Sequence, residues 1–178
     1  MCGRATEIQA GYDVRRVTEL NERRRLELCG AVCQAAARAD VRDAIANVYH
    51  ALAEQVELRR PACVTSGRCC RFDEFGHRLF VTTMELAAFS AAGGFANEVG
   101  SIDVDCPFQR HKLCTVHSIR PFGCRVFFCD ETSTDWQRRQ YEAFHAELKR
   151  LHRRLDVPYF YVEWRDALRA LSPTQTSL

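Results

Sequence analysis

The sequence predicts a mainly α-helical, single compact domain whose middle is an irregular, cysteine-rich, metal-binding segment, with room for a little β structure. Three observations lead there. Both ends of the chain carry helix-forming residues with apolar positions at helical spacing. Seven of the ten cysteines fall between positions 63 and 129. The same middle stretch shows little periodicity of any kind. A length of 178 residues is near the upper edge of what one small core serves. The predicted organisation is therefore an N-terminal helical segment over 1–60, a cysteine-cluster region over 61–130, and a C-terminal helix with its tail over 131–178, all within one domain.

From 13 to about 38 the chain is rich in Arg, Glu, Leu and Ala without a proline, which predicts a first helix. Arginines at 15, 16 and 23–25 alternate with Glu19, Glu22 and Glu27, the pattern of a solvated helix face rather than a nucleic-acid patch. A second helix starts with Asp40 as its N-cap. Val41, Ile45, Val48, Tyr49, Leu52 and Val56 form its apolar face, and Pro61 ends it. The run RFDEFGHRLFVTT reads as a strand or extended segment. Thr82 and Glu85 then fit a capping box that opens the short helix MELAAFSAA, closed by Gly93 and Gly94. The stretch 101–130 reads as loops and short turns folded around something. Thr134 with Gln137 suggests another capping box, and Trp136, Tyr141, Phe144, Leu148, Leu151 and Leu155 supply the stripe of a last long helix ended by Pro158. The tail SPTQTSL reads as frayed.

Composition excludes several classes. Apolar residues at 47% and charged residues at 27% describe an ordinary globular chain, not a disordered or membrane one, and a net charge of +2 lends no support to a nucleic-acid partner. No run approaches eighteen apolar residues, and the opening MCGRATEIQAGY lacks the apolar stretch of a signal peptide. The expectation is a cytoplasmic protein without a membrane partner. In a reducing compartment, abundant cysteine points to metal binding or catalysis before disulfides, with inert buried thiols as the third reading.

The thiols of the middle are Cys63, Cys69, Cys70, Cys106, Cys114, Cys124 and Cys129. Thiolate selects zinc, iron–sulfur clusters or copper(I), not magnesium or calcium. Their spacing is looser than a zinc finger's. In an extended backbone the adjacent Cys69 and Cys70 would point to opposite faces and meet on one tetrahedral ion only with strain. They fit two centres, a multi-iron cluster with separated corners, or one ligand beside one structural thiol. Arg110, His111, Lys112, Arg120 and Arg125 stand among the thiols and would offset the negative charge of a thiolate centre. Cys29 and Cys33, four apart on a helix, read as core residues, and Cys2 carries still less weight. Asp73, Glu74 and His77 read as a polar loop.

The run CVTSGRCC, then CPFQRHKLC, then TVHSIRPFGCRVFFC resembles the YkgJ-like cysteine-cluster family, described as a zinc- or iron-chelating domain with a CxxCxxCC box followed by CPFL, CxIY-like and RPxxCRxFxC elements. Cys63, Cys69 and Cys70 match three box thiols. Cys106 with Pro107 and Phe108, then Cys114, then Arg120, Pro121, Cys124, Arg125 and Cys129 match the rest. Ser66 stands at the second box thiol, and a serine hydroxyl is a poor ligand beside thiolates. A full second thiolate site would therefore need an outside ligand such as His77, His111, His117, Cys29 or Cys33. The resemblance implies a metal-binding protein holding an iron–sulfur cluster, 4Fe-4S or another type, or zinc. A related cluster in a flagellin lysine methylase implies, by analogy, redox or methyl-transfer chemistry as an alternative. A zinc-stabilised interaction module for protein or nucleic acid is the third class, its protein partner unknown. No phosphate loop, GxSxG elbow or HExxH helix decides for an enzyme.

Overall fold

The computed structural model describes residues 20–96, 102 and 105–171. Helix α1 spans Glu22–Ala37 and α2 spans Ala39–Arg59. A four-residue helix α3, Phe72–Phe75, precedes strand β1, Phe80–Thr82, and helix α4, Thr83–Ala91. A hairpin of β2, Gln109–Arg110, and β3, Leu113–Cys114, leads to the short α5, Phe122–Val126. The long α6, Thr134–Arg154, is followed by β4, Tyr161–Glu163, and α7, Trp164–Leu171. The chain is mainly helical and compact, with two small antiparallel sheets, β1–β4 and β2–β3. No helix among the described residues is long and apolar enough to cross a membrane.

Local chemistry explains the helix boundaries. Asn21 caps α1 by accepting the Arg24 N–H at 3.0 Å. The predicted start at 13 lies partly outside the described residues. Arg38 alone is extended and breaks α1 from α2. Asp40, expected as the N-cap of α2, instead sits in its first turn, where it pairs with Arg38 at 2.8 Å and complements the helix dipole. The α2 face read from the sequence is the buried one: Val41, Ile45, Val48 and Leu52 all lie in the core.

Helix α4 is the centre of the fold. It is apolar on every side, and α1 and α2 both pack against it. Leu86 and Phe89 enter one core cluster, which includes Phe72, Phe108, Trp164 and Leu168. Met84 and Ala87 enter the other, formed with α2, α5 and α6. The Thr82–Glu85 capping box is present, and it does more than cap. The Glu85 carboxylate, 3% exposed, accepts from Thr82 N–H at 2.8 Å and Thr82 O–H at 2.9 Å. Its other oxygen accepts the Phe122 N–H at 2.9 Å, which fixes the start of α5.

Two C-terminal expectations are corrected. Thr134 and Gln137 form no capping box: Ser133 is the N-cap residue, and Gln137 instead exchanges two hydrogen bonds with the backbone of Phe128, at 3.0 and 3.1 Å. The chain past Pro158 continues as β4 and α7 rather than as a bare tail, with Val81 paired to Val162. Residues 172–178 lie outside the described part. The stripe from Trp136 to Leu155 does line the second core cluster.

Two outcomes follow from this packing. Replacing Glu85 with Ala leaves the Phe122 and Thr82 donors without a buried acceptor, so chemical denaturation will show a loss of about 2–4 kcal/mol. An unchanged midpoint would contradict the role given to Glu85. His145 accepts from or donates to the Tyr159 hydroxyl at 2.9 Å and stacks on Tyr161. Burial, then the charges of Lys149 and His152, lower its pKa to about 4. The unfolded state therefore binds the proton first, and stability falls as pH drops from the unperturbed value of about 6.5 toward 4. A His145→Phe variant, followed by thermal melts across that window, will lose this part of the pH slope.

Candidate metal centre

The first thiol segment is shaped by a glycine. Gly67 adopts a left-handed φ of 72°, and a Cβ there would stand 2.6 Å from Gln109 Nε2 and 3.1 Å from Lys112 Cα. Only glycine both reaches this φ and lets the hairpin approach. Its carbonyl accepts Gln109 Nε2 at 2.8 Å. A 3₁₀ turn over Arg68–Cys70 follows, and this corrects the extended backbone expected at the cysteine pair. In that tight turn the adjacent sulfurs come to the same side, with Cys69 Sγ and Cys70 Sγ 3.8 Å apart.

The second segment is tied directly to the first: Cys106 N–H donates to the Cys70 carbonyl at 2.8 Å. The chain then turns back at His111 and Lys112, both at positive φ, the geometry of a two-residue hairpin turn. Pairing of Gln109 with Cys114 returns the third thiol to the same place. Cys124 arrives on α5, whose first N–H is held by Glu85.

These links bring the Cys106 and Cys114 segments alongside the Cys69–Cys70 pair. The Cys70 thiol interacts with those of Cys106, Cys114 and Cys69, which together with burial hold its proton on well above the ordinary thiol range. Those partners are correspondingly acidic. Cys114 falls to about 6, with Cys70 and the Val116 backbone N–H favouring its thiolate and burial opposing. Cys69 falls to about 7, chiefly through Cys70, with Arg120 assisting. Cys106 is lowered by Cys70 first, against burial, and by the Phe108 backbone N–H and the Trp164 indole. Cys124 is pushed up by burial and by the negative charge of Cys106, Cys114 and Cys69. In both Cys106 and Cys114 a backbone N–H two residues on favours the anion, so the local backbone is set for thiolate rather than thiol.

The other predicted residues stand elsewhere. Cys63 is exposed, and Cys129, the last thiol of the C-terminal element, lies 3.5 Å from the Ser66 hydroxyl. Cys29 donates to the Ala170 carbonyl at 3.2 Å, a packing role, and Cys33 is exposed. Cys2 lies outside the described residues. His77 Nε2 contacts the Cys69 carbonyl at 3.4 Å and its ring stacks on Phe127. His111 and His117 are exposed on turns. Arg120 is close enough to favour charge on Cys69, Cys114 and Cys124. Arg125 has a different use: it donates to the carbonyls of Arg120 and Ser118 and lies over the Tyr49 ring, bracing the turn that carries Arg120. Glu74 pairs with Arg71, and Asp73 pairs with Arg165.

Sequence reasoning missed Trp164, which is 1% exposed and packs on Phe89 and Phe108 beside Cys106. The signal lay in WRDALRAL, where Trp164, Ala167, Leu168 and Leu171 recur at helical spacing.

Against this geometry a chemical test of fit can be made. Around one tetrahedral ion with metal–sulfur bonds of ~2.3 Å, neighbouring sulfurs stand ~3.8 Å apart. The Cys69–Cys70 separation equals that edge. Among the described residues no three His, Cys, Asp or Glu side chains stand together so as to hold a metal ion as they are placed. The donor set is nonetheless all soft sulfur, the set that thiophilic metals take. Compared with known proteins, the chain matches no family model, no curated protein and no solved structure.

Gly67 yields a direct test of the site's scaffold. Gly67→Ala places a Cβ against Gln109 at a φ that L-residues avoid, so thermal melts will show a loss of about 1–3 kcal/mol. A neutral effect would mean that the hairpin does not depend on this close approach.

Proposed function

We propose that this chain is a metal-binding protein of the zinc- or iron-chelating cysteine-cluster type, with Cys69, Cys70, Cys106 and Cys114 as its ligands and Cys124 directly behind them. The supporting observation is the convergence on Cys70 of thiols from separate segments, aided by backbone N–H groups that favour sulfur anions. A cation among these thiols would take up the negative charge that the backbone N–H groups favour on Cys106 and Cys114, and its binding adds free energy to a region with little regular structure.

A single tetrahedral ion of the zinc type fits the 3.8 Å spacing as it stands. In a 4Fe-4S cluster each thiolate holds a different iron, so Cys69 and Cys70 would have to turn apart. A 4Fe-4S cluster, like a single ion, takes four thiolates, so the fifth thiol is surplus to both. The same sulfur pattern carries the resemblance to the YkgJ-like family. Cys63 and Cys129, flanking Ser66, fall outside the proposed ligand set.

Metal and acid-labile sulfide analysis, with a visible spectrum on protein purified without oxygen, tests the proposal. Near-stoichiometric zinc without sulfide supports the single ion, and iron with near-equal sulfide supports the cluster. Protein that carries neither and takes up neither zinc nor cobalt in titration overturns both. Cys70→Ser and Cys106→Ser will lose the metal and melt about 10 °C lower, the effect of a few kcal/mol in a chain of this length. Cys33→Ser and Cys63→Ser will retain it.

A further inference from the structure

Among the described residues, the indole N–H of Trp164 is one of four buried side-chain nitrogens without a hydrogen-bond partner. The residue is 1% exposed, and its Nε1 has no partner at hydrogen-bonding geometry. A buried donor left so costs about 1–3 kcal/mol, and an isosteric apolar ring would avoid that cost. Cys106 shares the core cluster of Trp164, two residues before the Phe108 ring on which Trp164 packs at 5.9 Å. A neutral thiol is a weak acceptor, whereas a metal-bound thiolate is a strong, charged one.

A second donor is placed in the same way. Arg120 Nε is also buried without a partner, and the Arg120 guanidinium acts on Cys69, Cys114 and Cys124. Two buried N–H donors without partners thus lie on two separate parts of the chain, α7 and the turn before α5. The backbone fixes Trp164 firmly: its N–H donates to the Leu79 carbonyl at 2.8 Å, and its ring is wedged against Phe89 and Phe108. The indole is therefore pre-oriented, and closing the N–H···S bond requires little movement of the protein.

Resting on the metal reading above, we propose that Trp164 is a positioning residue of the centre, whose indole N–H donates to the ligating sulfur of Cys106 and withdraws electron density from it. Such outer-shell donors orient a ligand and tune the metal that it holds. Trp164 touches the ligand, not the metal.

The experiment replaces only the N–H. In a Trp136→Phe background, 3-benzothienylalanine at position 164 keeps the fused-ring shape and exchanges the N–H for sulfur. Full-length apoprotein, reduced and free of oxygen, is titrated with cobalt(II), with Trp164→Phe as a second variant. The expected result is unchanged stoichiometry and an apoprotein that melts a few degrees higher in the benzothienyl variant, because the unpartnered donor is gone. Cobalt affinity will be about tenfold lower, and the sulfur-to-cobalt charge-transfer band will move to lower energy, because the sulfur donates more freely. An unmoved band and unaltered affinity in the benzothienyl protein would reduce Trp164 to a packing residue and overturn the inference, leaving the metal reading intact. Failure of the Trp136→Phe protein itself to bind cobalt overturns the metal reading, and this inference falls with it.

Discussion

The buried carboxylate of Glu85 is the interaction on which the rest of the structure depends. A carboxylate out of water is costly, and burial raises its pKa. It is tolerated because three donors from two segments converge on it. Through Thr82 it ends β1 and starts α4, the helix shared by both core clusters. Through Phe122 it sets the first turn of α5 and so delivers Cys124. A neutral apolar residue in its place would fill the same volume, but it could not join these two backbone segments.

The thiol group is assembled by turns rather than by helices. Gly67 enters a left-handed conformation, a 3₁₀ turn brings adjacent sulfurs to one side, and a two-residue hairpin with His111 and Lys112 at positive φ folds Cys114 back. Conformations of this kind carry local strain, and they persist where the surroundings determine them fully. Here the determinants are backbone bonds between the segments, above all that from Cys106 to Cys70.

Much of this was legible in advance. The capping box at Thr82, the buried faces of α2 and α6, and the clustering of thiols all rest on short-range patterns that the sequence displays openly. What failed shares one cause, dependence on contacts distant in sequence. Cys69 and Cys70 were expected to diverge because an extended backbone was assumed; the 3₁₀ turn exists because Gly67 packs against a hairpin some forty positions on. That hairpin gave no Asn-Gly or Asp-Gly signal. Gln137 suited a capping box by spacing, yet the backbone of Phe128 claimed it. Strand β4 is three residues long, and its partner is β1, so no local pattern announced it.

That pairing of Val81 with Val162 also governs the order in which the molecule can be completed. Synthesis proceeds from the N-terminus, so every sulfur from Cys69 to Cys124 has emerged before the strand and helix that bring Trp164 exist. Long-range pairings of this sort form late, since their loop must close before any contact repays it. For that interval the Phe89 and Phe108 rings lack the indole that later packs on them, and docking of residues 161–171 is what closes this core cluster.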